Sequence, residues 1–288
     1  MKRKTSLALT RKMPPGQAFV TLAADGLAAI EASLDHLVQR DDAEDVHALR
    51  IAIRQLRARL WIFIPLLPQR VSERWKTWLR ELARAASPVR DWDVFLAETL
   101  QPALGKEPGD PTLASLCALA CERRAAAREA MLVKVRSFRT RPLPRMHADL
   151  LHVARLGTAP SASLGRFAER RLDKPAKTWR RKWNALAEPR DDDLDLAALR
   201  PMHQLRIAGK RLRYAIEALD EALPPRYRER LLRKLVKRQG RLGRRLDDTI
   251  ARRLMCECLA VPAEGKGAAA EPQALQASPG EPSATISA

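Results

Sequence analysis

His47-Ala48-Leu49-Arg50-Ile51-Ala52-Ile53-Arg54-Gln55-Leu56-Arg57 returns 156 residues later as His203-Gln204-Leu205-Arg206-Ile207-Ala208-Gly209-Lys210-Arg211-Leu212-Arg213. Seven of the eleven positions are identical, and Arg54 is replaced by another cation, Lys210. The same offset carries Asp91 onto Asp247. Two arginine-rich helices that matched by composition alone would not hold that register as far as the aspartate. The repeat therefore divides residues 15–260 into two helical halves, about 15–140 and 160–260.

At about 100° per residue, His47, Arg50, Arg54 and Arg57 fall within a stripe of roughly 80° on one helix face, with Leu49, Ile53, Leu56 and Leu60 opposite. His203, Arg206, Lys210 and Arg213 repeat the stripe, with Tyr214 and Arg211 at its margin. Each stripe is about 15 Å long at 1.5 Å rise per residue. Cations four residues apart repel by a few tenths of a kcal/mol, and neither string is expected to carry relieving acids on this face. A ligand with many anionic oxygens would turn that repulsion to use, because each arginine can make charge-assisted, often bidentate bonds to it. The histidines would add a neutral donor near neutrality and a cation in acid. One basic stripe is most often a solvated helix face. Two, each led by histidine in the same phase, argue for a site.

The helices that follow each string are amphipathic as well. Lys76, Arg80 and Arg84 lie opposite Trp75, Trp78, Leu79 and Leu82. Arg230, Lys234, Lys237 and Arg241 lie opposite Leu231, Leu232, Leu235 and Val236. These cations either widen a charged channel or solvate an outer surface; the pattern is the same in both cases.

Apolar residues recur at helical spacing along most of the chain, alternating β-branched runs are lacking, and aromatic residues make up only 5% of it. The spacing predicts an all-α protein with helices over 17–39, 43–64, 71–87, 91–104, 111–138, 145–156, 163–187, 195–222, 225–240 and 243–260. Proline punctuates many of the junctions. A short basic segment, 1–14, precedes the helices, and the Ala-, Pro-, Gly- and Ser-rich stretch 261–288 reads as a disordered tail.

Lys and Arg number 53 against 34 Asp and Glu, a formal net charge of +19. An excess of that size attracts polyanions: nucleic acid, anionic membrane or a phosphate polymer. Arginine supplies most of the surplus, and its planar fork suits phosphate oxygens. No apolar run approaches the roughly 20 residues of a membrane span. Met1–Met13 is basic without the apolar core of a secretory signal. Cys117, Cys121, Cys256 and Cys258 are too few and too locally spaced for a disulfide framework, so a cytoplasmic setting is expected. Cys117 and Cys121 sit at i,i+4, within reach of His147 or His152 in principle, but no four-ligand metal set emerges and a packing role is expected. The acids from Glu188 to Asp195 lack the glycine and terminal glutamate of a calcium loop and suit a linker before a helix. Asp91, Asp93, Asp247 and Asp248 read first as partners of neighbouring arginines and second as an acid/base pair.

The paired His-x-Leu-Arg-Ile-Ala-x-(Arg/Lys)-x-Leu-Arg strings resemble the signature of the CHAD family, the "conserved histidine α-helical domain". The second copy, running into Tyr214-Ala215-Ile216-Glu217, is the closer match. Val89-Arg90-Asp91-Trp92-Asp93-Val94 resembles the family's Arg-Asp element, and Leu242-Gly243 with Asp247 its later counterpart. The resemblance spans about residues 15–260. It implies two four-helix bundles related by a pseudo-twofold axis around a basic central cavity that binds inorganic polyphosphate, often at polyphosphate granules. By position it nominates His47, Arg50, Arg54, Arg57, His203, Arg206, Lys210, Arg211, Arg213 and Tyr214 as contacts, and Arg80, Arg84, Arg90 and Lys237 join them from the flanking helices. The chain departs from the pattern at Ala58, where the first copy lacks the counterpart of Tyr214.

No glycine-rich phosphate loop, nucleophile elbow or zinc protease helix occurs, so the expectation is a non-enzymatic polyphosphate-binding protein with no cofactor. A nucleic-acid-binding protein is the second candidate on net charge, without a helix-turn-helix, zinc finger or stacking aromatics on the stripes to support it. An enzyme acting on phosphoanhydrides through Asp91 or Asp247 is the third.

Overall fold

In the computed structural model, residues 9–156, 163–186 and 196–260 are described. The start of the basic segment, the acidic run 188–195 and the stretch 261–288 expected to be a tail lie outside them. So do the side chains of 196–200, 228 and 241–248, Asp247 and Asp248 included.

All regular structure in the described residues is helical. Helix α1 (Pro15–Gln39) starts with proline at its first position, where no intrahelical N–H is needed. Helix α2 (Ala43–Phe63) is capped by Asp42, whose carboxylate accepts from the Glu44 N–H at 2.8 Å. Glu44 and Asp45 fill its first turn, where the helix dipole favours acids. After a single 3₁₀ turn, Ile64–Leu66, α3 (Gln69–Phe95) leads through a π-helical turn, Leu96–Leu100, into the short α4 (Gln101–Lys106). Asp110 caps α5 (Pro111–Thr140), accepting from Thr112 and Leu113, and α6 (Pro142–Leu156) follows directly. The remaining helices are α7 (Leu164–Asn184), α8 (Leu196–Ala218) and, after a π-helical turn at Tyr227–Leu232, α9 (Arg233–Leu259).

Two boundaries expected from sequence are absent. The helices predicted over 71–87 and 91–104 are joined: α3 runs unbroken through Pro88 to Phe95. Proline removes one backbone donor and crowds the carbonyl four residues back, yet the exposed Pro88 sits between Leu82, Ala86 and Val89, which are anchored in the core. That packing outweighs the local penalty. Likewise α9 continues through Gly240 and Gly243, where a break was expected.

Helices α1, α2 and α3 pack in sequence, α5 lies on α3, and α6 closes against α1 and α5. Helix α8 packs on α2, α7 and α9, so the two helices that carry the repeated strings lie against each other. One continuous core runs through these helices, from Phe19, Leu27 and Trp75 to Leu164, Leu212 and Leu235. A buried ion pair fastens α6 to α3: the Asp149 carboxylate accepts from Trp75 Nε1 at 3.1 Å and from Arg74 Nε at 3.2 Å. A smaller cluster around Trp92, Phe95, Ala120, Leu254 and Cys258, with Cys117 packed against it, ties the end of α9 to α3 and α5. The two cysteines there are packing residues.

Gly209 fixes how α7 meets α8. A Cβ at this position would stand 2.8 Å from Trp179 Nε1 and 3.2 Å from the Gln239 amide nitrogen. The missing side chain lets the Trp179 indole reach over α8 and donate to the Leu205 carbonyl at 3.1 Å. Its counterpart in the first string, Ile53, is a buried core residue. The repeat thus diverges where α7 has to come close.

Candidate functional site

The pairing of α2 with α8 decides which cations meet. Arg50, Arg54 and Ala58 on α2 correspond through the repeat to Arg206, Lys210 and Tyr214 on α8. His47, Arg50, Arg54, Arg206 and Lys210 line one cavity of about 320 Å³, together with Arg90 and Asp91 of α3. A second cavity, about 420 Å³, shares Arg54 and Lys210 with the first and continues along Arg57, Lys76, Arg80, Arg211, Ala58 and Tyr214. The two form one groove over the α2–α8 seam. Ile207 and Ala58 are among its apolar lining, and cations from α2, α3 and α8 predominate among its charged residues. Tyr214 and Ala58, the position where the two strings differ, line the same cavity. The small residue leaves room in front of the phenol.

Electrostatics in this groove are unbalanced. Burial, then the Arg54 charge, push the Arg50 guanidinium down to about 10, with Arg90 and Arg206 adding to the effect and only Asp91 opposing it. Arg50 Nη1 reaches the Ala86 carbonyl at a long 3.4 Å, and its buried Nε has no hydrogen-bond partner. The His47 imidazole is held below its ordinary value by burial, then by the charge of Arg90, with smaller pushes from Arg54 and Arg50, while the Glu44 carboxylate pulls the other way. It is therefore neutral at pH 7. Arg57 is lowered by desolvation and by Arg80, and Arg211 by desolvation and by Arg57. Leaving a guanidinium desolvated among like charges is costly, and a polyanion laid along the seam would relieve each of these shifts.

Two acids, Asp91 and Glu98, line the first cavity. Arg253 of α9 reaches Asp91 at 3.5 Å, and Arg124 of α5 holds the buried Asp93 at 2.6 Å while also binding Asp41 at 2.7 Å. Both aspartates thus pair with arginines of other helices. This network pins α3, and with it Arg90, beside α2.

Of the fourteen residues singled out from sequence, His47, Arg50, Arg54, Arg57, Arg80, Arg90, Arg206, Lys210, Arg211 and Tyr214 line the groove. Arg84, His203, Arg213 and Lys237 are outside its lining. Arg213 turns instead to Glu217, at 3.4 Å and four residues on, and lies over the Tyr214 ring at 4.8 Å. The expectation that neither string has an acid in relieving position fails at that residue. Arg84, His203 and Lys237 are exposed. The groove is consequently less symmetric than the repeat: its first string contributes the histidine and the last arginine, its second string does not.

Trp61 is a residue that sequence reading missed. It sits at the end of the second cavity, with the Arg211 guanidinium 4.6 Å and that of Arg171 5.6 Å from its ring centroid. Arg171 is fixed there by donating to the carbonyls of Trp61 and Ile62, at 2.8 and 2.9 Å. Periodicity places Trp61 among apolar residues that look like core, and nothing in its local pattern marks it as a wall of the groove.

No described helix is long and apolar enough to cross a membrane. Residues 21–256 match the CHAD domain family. Among solved structures, the crystal structure of the CHAD domain from the plant Ricinus communis superposes with a TM-score of 0.67 at 25% identity, covering 89% of this chain and 83% of that one. PptA from Streptomyces chartreusis superposes with a TM-score of 0.61 at 20% identity, covering 88% and 89% respectively. Comparison with curated protein sequences returns no significant match.

Proposed function

This chain belongs to the CHAD domain family, and on that basis we propose that it binds inorganic polyphosphate along the α2–α8 groove and holds the polymer without cleaving it. The observation that carries the proposal is the state of Arg50: a desolvated guanidinium, depressed to about 10, among Arg54, Arg90 and Arg206. Such an arrangement is stabilised by a ligand with closely spaced anionic oxygens, and the groove offers that ligand cations from both strings and from α3. Inorganic polyphosphate carries a charge on every unit and no bulky base, so it can follow a seam walled on both sides. Duplex DNA presents its phosphates on a wide convex surface and would meet only the rim. In this reading the protein works in the cytoplasm, where it can associate with polyphosphate granules.

The test is titration calorimetry with long-chain polyphosphate at about 0.15 M salt, where surface charges are screened beyond roughly 8 Å, with and without excess duplex DNA. Tight binding that survives the DNA is expected. Binding abolished by DNA at equal phosphate would reduce the groove to a generic basic surface and bring nucleic acid forward. Release of orthophosphate, dependent on added metal and on Asp91, would overturn the non-enzymatic part.

A further inference from the structure

The groove does not end at Trp61. A third cavity, about 720 Å³, shares Trp61 and Arg211 with it and opens between α7 and α8. Its walls differ in kind from those of the groove. Pro175, Trp179, Leu205, Ala208 and Leu212 give it an apolar interior, while Arg170, Arg171, Lys174, Lys182 and Arg211 stand around it, and among the described residues its lining includes no carboxylate. Gln204 and Thr178 are its uncharged polar side chains. A volume of several hundred Å³, mostly apolar walls and a few placed polar groups are the usual marks of a small-molecule site.

Inorganic polyphosphate makes no use of such a chamber. It has no nonpolar surface to bury, and an anion against Leu205, Ala208 and Leu212 gains nothing from them. A ligand that fits both spaces is anionic at one end and, at the other, combines flat apolar faces with a few hydrogen-bonding groups. We propose that this cavity receives the nucleoside of a nucleoside polyphosphate, whose base offers apolar faces to the walls and polar edges to Gln204 and Thr178. Its phosphates would run past Trp61 and Arg211 toward Arg57, Arg80 and Lys210, and its base would lie on Ala208 and Leu205 within reach of the Gln204 amide and the Thr178 hydroxyl. The Trp61 ring already has a guanidinium against it, so the ligand is gripped by the aliphatic wall and the cationic rim. This proposal rests on the groove accepting phosphate chains and goes beyond it by assigning the chamber next door.

The experiment compares adenosine triphosphate with inorganic tripolyphosphate by calorimetry on the full chain, in EDTA, with long-chain polyphosphate titrated in parallel. Tripolyphosphate carries the larger charge, so electrostatics alone favours it. The expected result is the reverse order: adenosine triphosphate at least about tenfold tighter, which is the equivalent of about 1.4 kcal/mol. Ala208→Phe, which fills the chamber from α8, should erase that preference and leave tripolyphosphate within about twofold of its original affinity. Gln204→Trp, at an exposed lining position, should do the same should the phenylalanine disturb folding. Equal or weaker binding of adenosine triphosphate, or a preference indifferent to both substitutions, overturns the proposal. If long-chain polyphosphate still binds in that case, the groove stands and only the chamber has been misassigned. Failure of all three ligands to bind would remove both.

Discussion

Replacing Arg50 with methionine should make the free protein more stable and a poorer binder. The Arg50 guanidinium is depressed to about 10 by burial and by neighbouring cations. At about 1.4 kcal/mol per pH unit, that gap from its ordinary value amounts to a charge disfavoured by on the order of 3 kcal/mol at pH 7. Methionine fills similar space, removes the charge and keeps the helix. It forfeits the 3.4 Å bond to the Ala86 carbonyl, which is long and contributes at most about 1 kcal/mol. Water in the open groove screens part of the remainder. The net gain for Arg50→Met is about 1–2 kcal/mol, read as a Tm rise of roughly 2–4 °C in a domain of this size. With polyphosphate the order reverses. A lost charge-assisted bond costs about 1.5–3 kcal/mol, so affinity should fall by roughly 10- to 100-fold, and the ligand-induced shift in Tm should shrink with it. Thermal melts with and without polyphosphate, checked by urea unfolding, measure both quantities. If Arg50→Met is less stable than the parent chain without ligand, Arg50 is not strained by its neighbours, and the argument that the groove awaits an anion fails.

Arg54→Glu and Lys210→Glu should each weaken polyphosphate binding by a similar factor of ten or more, since both residues line both cavities of the groove and each reversal swaps an attraction for a repulsion; an effect confined to one of them in calorimetry would refute a single shared groove. Because His47 is held below its ordinary value in the free protein, a bound polyanion will raise it, so the complex takes up a proton and affinity should increase as pH falls from about 8 to about 5.5. His47→Gln should flatten that slope in titrations across the range, and an unchanged slope would show that another group titrates. Gly209→Ala places a Cβ 2.8 Å from Trp179 Nε1 and should destabilise the chain by about 1–3 kcal/mol in urea unfolding; a neutral outcome would mean that α7 shifts freely on α8.

Much of the architecture is legible from periodicity and the repeat. The all-helical class follows from apolar spacing, and the 156-residue offset carries α2 onto 199–219, close to the observed α8 (Leu196–Ala218). Boundaries failed at Pro88 and at Gly240 because local propensity is a small term: buried residues on either side keep α3 and α9 continuous.

The sequence by itself determined that this chain builds two basic helix faces in register, since charge and phase along one helix are properties of local order. It could not tell which cations of each face would share a groove. That depends on how α2 and α8 are rotated against each other, a matter of packing between residues some 156 positions apart. The rotation brings Arg57 in and leaves Arg213 to Glu217; it places Ala58 in the cavity with Tyr214; and it makes Trp61 a wall. Only the folded chain decides these, because the contacts that set them are nonlocal and no periodicity records them.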